Sequence, residues 1–454
     1  MVGVPIDRLS TNDLMSLASE RGSTPMQVGA VLLLEVDRPF DPTSLVDVIQ
    51  DRVPSIPRLR QRLLRLPPGL GRPVWVDDPD YRIANHVSVV SCPEPGGLQP
   101  VLDIAASMLT MRLRPDRPLW RAVLVTQADE NQTALVVVFH HVLADGIAGL
   151  AVLGGLVDGT ERPAPAPFPQ PAPTRRALLA NALLGRARSI RRLPRALRQL
   201  ATAATELRPA LGPRLPRTSI NQPTGPNRRY VSLRFDLQKV IDAAHTNDAT
   251  VNDLLLTAIA GALRTLLASR GEFLDRFVIS VPFSDRRQTS TGALGNRSGV
   301  IPLVLPATGD ATARLEATTR ATRAAKLSAP AASNALLGPV FRLLARTGLY
   351  RRFINNQRLV HSFVTNLRGP VDTVSIAGFP VTGMLPLGVA TGNVTVSFAA
   401  LSYAGNLVVT IASDPQTCPD LSLLAAAVAR EVHTLVEIRD TTSVPPKTSP
   451  TPGV

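Results

Sequence analysis

A proline-rich and arginine-rich interruption splits this chain, and it restricts the possible folds more than any other feature. Residues 161–174 read ERPAPAPFPQPAPT, and eleven arginines stand against a single acid, Glu206, between Arg175 and Arg217. Prolines at this density are typical of a linker. Because 454 residues exceed the usual size of one domain, we expect a lobe on each side. The predicted units are an N-terminal lobe at 1–160, a linker with a basic segment at 161–220, a C-terminal lobe at 221–440 and a disordered tail at 441–454.

Both halves of the chain alternate strand and helix patterns. In the first half, the apolar runs AVLLLEV at 30–36 and ALVVVF at 134–139 are typical of buried strands, and a helical pattern lies near 45–50. In the second half, a strand pattern at 228–237 precedes helical patterns, one of which has Thr250 as its predicted N-cap. The predicted fold class is therefore α/β, with mixed sheets and flanking helices.

Composition excludes several classes of protein. The only cysteines are Cys92 and Cys418, too few for a disulfide framework or a paired-cysteine zinc site. The first twenty residues contain acids and no continuous apolar run, which does not fit a secretory signal. The longest charge-free stretch, 373–413, is interrupted by prolines and glycines, so we predict no transmembrane helix and a cytoplasmic location. The net charge of +14, nearly all arginine, predicts an anionic partner.

The pattern HHxxxDG follows the second apolar strand and is the strongest chemical signal in the chain. It comprises His140, His141, Asp145 and Gly146. Neighbouring side chains on an extended segment point to opposite faces, so only one imidazole is expected to act as a base. Near neutral pH an imidazole can take a proton from an attacking hydroxyl, which suits acyl transfer from a thioester. The alternative is that both histidines are buried polar residues that end a strand.

Two roles are open for Asp145. It could orient the second imidazole, or it could pair with a distant arginine and fix the loop, and we favour the second role with Arg286 as the partner. Gly146 would permit a close turn and leave room for a substrate chain.

Further motifs are distributed over both halves of the chain. They are PMQVG at 25–29, PVWVDD at 73–78, RPLW ending at Trp120, ND at 252–253, VPFSDR at 281–286, GNRSGVIPLVLP at 295–306, TNLRGP at 365–370 and LSYAGNL near Tyr403. Together with HHxxxDG, and in this order, they resemble the bacterial wax ester synthase/diacylglycerol acyltransferase family. That family belongs to the wider group of CoA-dependent acyltransferases that includes chloramphenicol acetyltransferase and peptide synthetase condensation domains.

The resemblance implies a fold, a reaction and a set of site residues. It implies two chloramphenicol-acetyltransferase-like lobes with a channel between them, in which acyl-CoA and a lipid alcohol meet. By the same resemblance His141 is the general base, His140 and Asp145 hold the geometry of the motif, and Asn252 polarises the thioester carbonyl or shapes its helix. An ordinary position near a helix start is the alternative for Asn252. No metal is implied, and no cofactor beyond acyl-CoA as co-substrate.

Two positions depart from the family pattern. The family usually has histidine where Gln27 stands, and its glycine-proline loop usually lacks a bulky charged residue such as Arg368. We expect these departures to alter the shape or charge of the acceptor entrance.

The basic segment between Arg175 and Arg217 predicts an amphipathic helix pair, split at Pro194. Its leucines share one side and its arginines the other, so it could lie on an anionic membrane or lipid-droplet surface. A helix docked on the protein with a solvated arginine face is the alternative. Nucleic acid is not expected as a partner, because no aromatic side chains interleave the arginines.

The predicted function is acyl-CoA-dependent esterification of diacylglycerol to triacylglycerol at an anionic lipid surface. Three alternatives remain: wax ester synthesis from a long-chain fatty alcohol, a catalytically weak lipid-surface protein, and a peptide-forming condensation domain. The condensation-domain alternative is weakened because no carrier or adenylation module is present in the sequence.

Overall fold

Two six-stranded sheets organise the molecule. The computed structural model describes residues 6–10, 13–14, 16–17, 20, 24–37, 39–143, 146–161, 167–188, 190–191, 215–283, 299–328, 347 and 349–437.

The first half of the chain supplies four strands of the first sheet and the helices beside it. Its strands are β1 (Gln27–Glu35), β2 (Gln61–Leu64), β3 (Val74–Asp77), β4 (Val87–Ser91), β5 (Trp120–Asp129) and β6 (Gln132–His140). Its helices are α1 (Pro42–Arg52), α2 (Pro57–Arg60), α3 (Leu98–Thr110) and α4 (Gly146–Gly154), with short 3-10 turns at Val53–Ser55 and Ile83–Asn85. The predicted strands at 30–36 and 134–139 and the helix near 45–50 are confirmed as β1, β6 and α1.

The second half builds the second sheet with its helices, and it also supplies two strands of the first sheet. Its strands are β7 (Arg229–Asp236), β8 (Arg276–Phe283), β9 (Gly299–Pro306), β10 (Ser362–Arg368), β11 (Ser375–Ile376), β12 (Phe379–Leu387), β13 (Val396–Tyr403) and β14 (Asn406–Ser413). Its helices are α5 (Leu237–Thr246), α6 (Val251–Ser269), α7 (Ala311–Ser328), α8 (Tyr350–Asn355) and α9 (Leu421–Glu437). The predicted α/β class with mixed sheets is confirmed, because β10 runs parallel to β8 and β13 whereas β13 and β14 are antiparallel.

The second half of the chain adds two strands to the sheet of the first half. The first sheet has the order β11-β12-β1-β6-β5-β4, and the second has the order β7-β14-β13-β10-β8-β9. The assignment of 221–440 to the C-terminal lobe is therefore wrong for 375–387: residues 381–387 pair with β1, and β11 pairs with β12 at the edge of the same N-terminal sheet. The physical reason is that β12 is charge-free and largely buried, and β1 offers it a long antiparallel edge. Tyr403 helps to hold β12 in this position, since its hydroxyl donates to the Val381 carbonyl at 2.7 Å.

Helix α6 forms the centre of the second lobe. Thr250 and Asp253 make a capping box at its start, as their spacing predicts. Among the described residues, α6 is the one helix long and apolar enough to cross a bilayer, and 72% of its most apolar window is buried in the protein. The same length and composition suit a core helix, and α6 packs mainly against α9 and α7.

Part of the basic segment is visible as a docked helix. Residues 175–188 are helical, and Leu178 lies buried against the β2–β3 hairpin. Arg8 fixes the helix by donating from Nε to the Asn181 Oδ1 atom at 2.7 Å. Leu179 and Leu183, which the helical wheel places on the apolar side, remain 44% and 52% exposed. Residues 192–214 and the predicted tail at 441–454 lie outside the described residues.

Candidate active site

His140 is the last residue of strand β6, and His141 follows it directly. Every residue from Thr133 to His140 is buried, and β6 lies between β1 and β5. The His140 N–H donates to the Leu119 carbonyl at 2.9 Å, and the His141 N–H donates to the Met26 carbonyl at 2.8 Å. A turn follows at once, because the Leu143 N–H donates back to the His140 carbonyl at 2.8 Å. The backbone of the pair is therefore fixed on both sides by neighbouring segments.

His140 faces the protein interior. Its side chain is 3% exposed, and its Nδ1 atom accepts a hydrogen bond from the Val142 N–H at 3.1 Å. Its Nε2 atom lies 3.1 Å from Oε2 of Glu20, at an angle that falls short of a good hydrogen bond. Because Nδ1 acts as the acceptor, a neutral ring carries its proton on Nε2, facing the carboxylate. This imidazole is enclosed by protein and is not placed to meet a substrate.

His141 differs from its neighbour in exposure. It is half-buried, whereas His140 is enclosed. The alternation along an extended segment predicts such a difference between adjacent side chains. Of the two histidines, His141 is therefore the more exposed.

The remaining motif residues fall partly outside the described residues. Asp145 and its predicted partner Arg286 both do so. Gly146 begins α4, and a methyl group added to it would lie 3.1 Å from the Leu367 Cδ2 atom of β10. The expectation that Gly146 leaves room for a substrate chain is therefore wrong on its Cβ side, because Leu367 occupies that space. The close approach brings HHxxxDG of the first lobe against TNLRGP of the second.

A cavity of about 510 Å³ opens near His140. It reaches Glu20, the residue whose carboxylate faces His140. Its walls combine apolar side chains with two arginines and one acid: Leu14, Leu17, Glu20, Arg65, Leu66, Pro73 and Arg112. Among the residues that the structure describes, no group of three or more His, Cys, Asp or Glu side chains is placed to hold a metal ion.

Comparison with known families settles the identity of the fold and of the enzyme class. Residues 9–255 match the wax ester synthase/diacylglycerol acyltransferase catalytic domain, and residues 294–435 match the C-terminal domain of the same proteins. The chain belongs to the wax ester synthase/diacylglycerol acyltransferase family. It is accordingly an acyltransferase.

Relatives match the acyltransferase over nearly its whole length. The probable diacylglycerol O-acyltransferase tgs1 of Mycobacterium tuberculosis is 29% identical over 433 residues, covering 91% of this chain and 92% of the relative. The wax ester synthase/diacylglycerol acyltransferase from Marinobacter aquaeolei VT8 has a TM-score of 0.68 at 20% identity, covering 95% of this chain and 99% of that one. A starter condensation domain of rhizomide synthetase, solved with C8-CoA and Leu-SNAC, has a TM-score of 0.63 at 15% identity, covering 96% and 95%. The two structures establish the predicted fold.

Gln27 of the acyltransferase has a structural role. It is 2% exposed, and its Nε2 atom donates to the carbonyls of Leu109 at 2.8 Å and Met111 at 3.0 Å. Its Oε1 atom accepts from the Leu113 N–H at 2.9 Å. These bonds satisfy backbone groups where α3 ends, which is where a helix leaves its carbonyls unpaired. Gln27 therefore holds segment 109–113 in place, and its expected effect on the acceptor entrance stays a prediction.

Asn252 occupies the second residue of α6 and is half-buried. The cap of that helix is made by its neighbours, because Thr250 and Asp253 bond each other reciprocally. Asp253 also accepts from the Thr322 hydroxyl at 2.6 Å. Asn252 is thus not needed to start the helix, and its assigned role toward the thioester stays a prediction.

The other departure from the family, Arg368, is exposed at the end of β10. The glycine that follows it is held against the sheet, since the Gly369 N–H donates to the Ser402 carbonyl at 2.8 Å. A methyl group at Gly369 would lie 2.8 Å from that same carbonyl oxygen. Only a residue without a side chain fits there, so the turn after Arg368 requires glycine.

Glu20 and Arg112 were missed by sequence reasoning. Arg112 donates from Nη2 to the Glu20 carbonyl at 2.8 Å, and its Nη1 atom lies 3.7 Å from Oε1 of Glu20. Neither residue belongs to a motif, and both stand far from His140 in the chain. No spacing or periodicity signals such a contact, since it depends on three separate segments meeting in space.

Proposed function

We propose that this acyltransferase transfers the acyl group of acyl-CoA to the hydroxyl of diacylglycerol, with His141 as the general base. The unprotonated ring nitrogen of His141 takes the hydroxyl proton while the alcohol oxygen attacks the thioester carbonyl carbon. The carbon–sulfur bond then breaks, and the departing thiolate receives the proton from the imidazolium. The products are triacylglycerol and free CoA. Because a thiolate leaves readily, no covalent acyl-enzyme and no cofactor beyond acyl-CoA is required.

The observation that carries this proposal is the contrast between the two adjacent imidazoles. His140 is enclosed and bonded through Nδ1, whereas His141 is half-buried at the place where Gly146 and Leu367 bring the lobes together. Diacylglycerol is favoured as the acceptor because relatives across most of the chain are named as diacylglycerol O-acyltransferases.

The test is a product analysis with purified full-length protein. Palmitoyl-CoA is supplied with diacylglycerol in one reaction and with hexadecanol in another, and the lipids are separated. We expect triacylglycerol, and we expect His141→Ala to lower its rate by about 10²- to 10⁴-fold, as for removal of a general base. A wax ester as the main product would identify a fatty alcohol as the acceptor instead. Undiminished activity of His141→Ala would show that the assigned base is wrong.

We further propose that the acyltransferase works at an anionic phospholipid surface, the chemistry shared by the inner membrane face and a lipid-droplet coat. The helical residues 175–188 expose Leu179, Leu183 and Leu184, and Ile190 beyond them is 69% exposed. The arginines of this stretch, among them Arg186 and Arg188, are exposed as well. Exposed apolar side chains among arginines fit a headgroup layer, where insertion and charge attraction act together.

A further inference from the structure

Glu20 lies against the enclosed histidine from a distant part of the chain. Its Oε2 atom is 3.1 Å from His140 Nε2, and its side chain is 18% exposed. Arg112 holds Glu20 from the other side through the backbone carbonyl and faces its Oε1 atom. The carboxylate is therefore placed between one imidazole and one guanidinium.

The position of Glu20 affects which ring nitrogen of His140 carries the proton. The Val142 N–H finds an acceptor at Nδ1 only when the neutral ring carries its proton on Nε2, so this hydrogen bond favours that tautomer. A carboxylate 3.1 Å from Nε2 stabilises that tautomer, because its negative charge attracts the Nε2 proton. If the proton moved to Nδ1, two N–H groups would face each other within the turn that directly follows β6. That turn carries His141.

Gln27, a residue of the first sheet, supports the segment that carries Arg112. On β1 it stands opposite His140 in the strand register. Its amide holds Met111 and Leu113, the residues on either side of Arg112. Strand β1 thereby fixes the segment that presents Arg112 to Glu20, and Glu20 in turn faces the ring on the neighbouring strand. Gln27 thus supports, through the backbone on either side of Arg112, the contact that holds Glu20 beside His140.

We infer that Glu20 is a positioning residue, which sets the tautomer of His140 and so the orientation of the turn that presents His141. This inference rests on the proposed role of His141 as base. Glu20 takes no proton from substrate in this scheme; it acts through His140. Arg112 supports it by fixing the backbone of Glu20.

The test compares Glu20→Ala and Glu20→Gln with a matched control, Arg114→Ala. Arg114 lies two residues from Arg112 and forms an exposed ion pair with Asp116. For Glu20→Ala we expect kcat to fall about ten- to a hundredfold, as when the partner that orients a functional histidine is removed, while KM for acyl-CoA changes less than twofold. Glu20→Gln should retain part of the rate, because its amide oxygen can still accept from Nε2. Arg114→Ala should match the wild type.

A spectroscopic readout separates positioning from mere folding. In protein labelled with ¹⁵N-histidine, the wild type should show His140 protonated at Nε2 alone, and Glu20→Ala should show a mixture of tautomers. An unchanged His140 spectrum, or a kcat equal to that of Arg114→Ala, would overturn the inference. Should Glu20→Ala fail to fold, the kcat and the spectrum of Glu20→Gln decide in the same way. Persistent activity of His141→Ala would instead refute the base, whatever the Glu20 variants do.

Discussion

Gly146 and Leu367 touch across the two lobes: a methyl group on Gly146 would lie 3.1 Å from Leu367 Cδ2 and 3.2 Å from Cδ1. One residue closes HHxxxDG and the other stands in TNLRGP, so two distant motifs share one contact. The glycine allows α4 to approach β10 this closely.

Enlarging Gly146 should therefore disturb activity through Leu367. We expect Gly146→Ala to cost about 1 kcal/mol of unfolding free energy, because overpacking against the end of a side chain is partly relieved by movement. The rate should fall with it, since Gly146 belongs to the same motif as His141, the proposed base. In a Leu367→Ala background the same Gly146→Ala change should cost little, giving a coupling of about 1 kcal/mol in a double-mutant cycle. Additive losses in urea unfolding and kcat/KM would contradict the proposed contact.

Gln27 should matter for stability more than for chemistry. Gln27→Leu leaves the carbonyls of Leu109 and Met111 and the N–H of Leu113 without their partner. Each buried polar group left unpaired costs about 1–3 kcal/mol, so we expect a loss of roughly 3 kcal/mol in unfolding free energy. Gln27→His, which introduces the residue common in the family, should lose less because imidazole can still donate. Equal stability of Gln27→Leu and wild type would show that these bonds contribute nothing.

The exposed leucines of the basic helix give a test of surface binding. Leu179→Asp with Leu183→Asp should reduce flotation with phosphatidylglycerol vesicles about tenfold or more, because two inserted side chains are lost and two like charges are added. Phe273→Asp is the control, since Phe273 is 78% exposed on another part of the surface. High salt should release the wild type. If the Leu179→Asp/Leu183→Asp variant binds the vesicles as tightly as the wild type does, the proposed surface is wrong.

The sequence predicted the parts of the site that depend on local pattern. The apolar run that ends at His140 identifies β6, and the spacing of Thr250 and Asp253 identifies the start of α6, because caps and strand burial are decided within a few residues. The motif spacing likewise singled out the histidine pair without any knowledge of the fold.

Contacts between distant segments were not predictable in the same way. The entry of β12 into the first sheet and the approach of Glu20 to His140 depend on tertiary packing, which no period or motif encodes. Gln27 shows how this affects interpretation. As a departure from a family pattern it suggested a substrate entrance, whereas its amide is used entirely by the backbone around the end of α3.

His361 provides a prediction about acid stability. It is 1% exposed, and its Nδ1 atom accepts from the Val278 N–H at 2.9 Å. Burial lowers its pKa from 6.5 to about 4, and burial also lowers the pKa of His86. Below pH 6.5 these two histidines therefore bind protons in the unfolded chain more readily than in the folded chain. The contribution of the two neutral histidines to the free energy of unfolding is fully present above pH 6.5 and is lost between about pH 6.5 and 4. For His361 the loss is up to about 3 kcal/mol.

The variant His361→Asn removes this titration while its Oδ1 atom can still accept from Val278. We expect the free energy of unfolding, measured in urea from pH 8 to pH 4, to depend less steeply on pH than in the wild type. Part of the slope should remain because His86 still titrates. His245→Asn is the control, since His245 is exposed near the end of α5. A slope as steep as that of the wild type would show that His361 is not kept neutral by the fold.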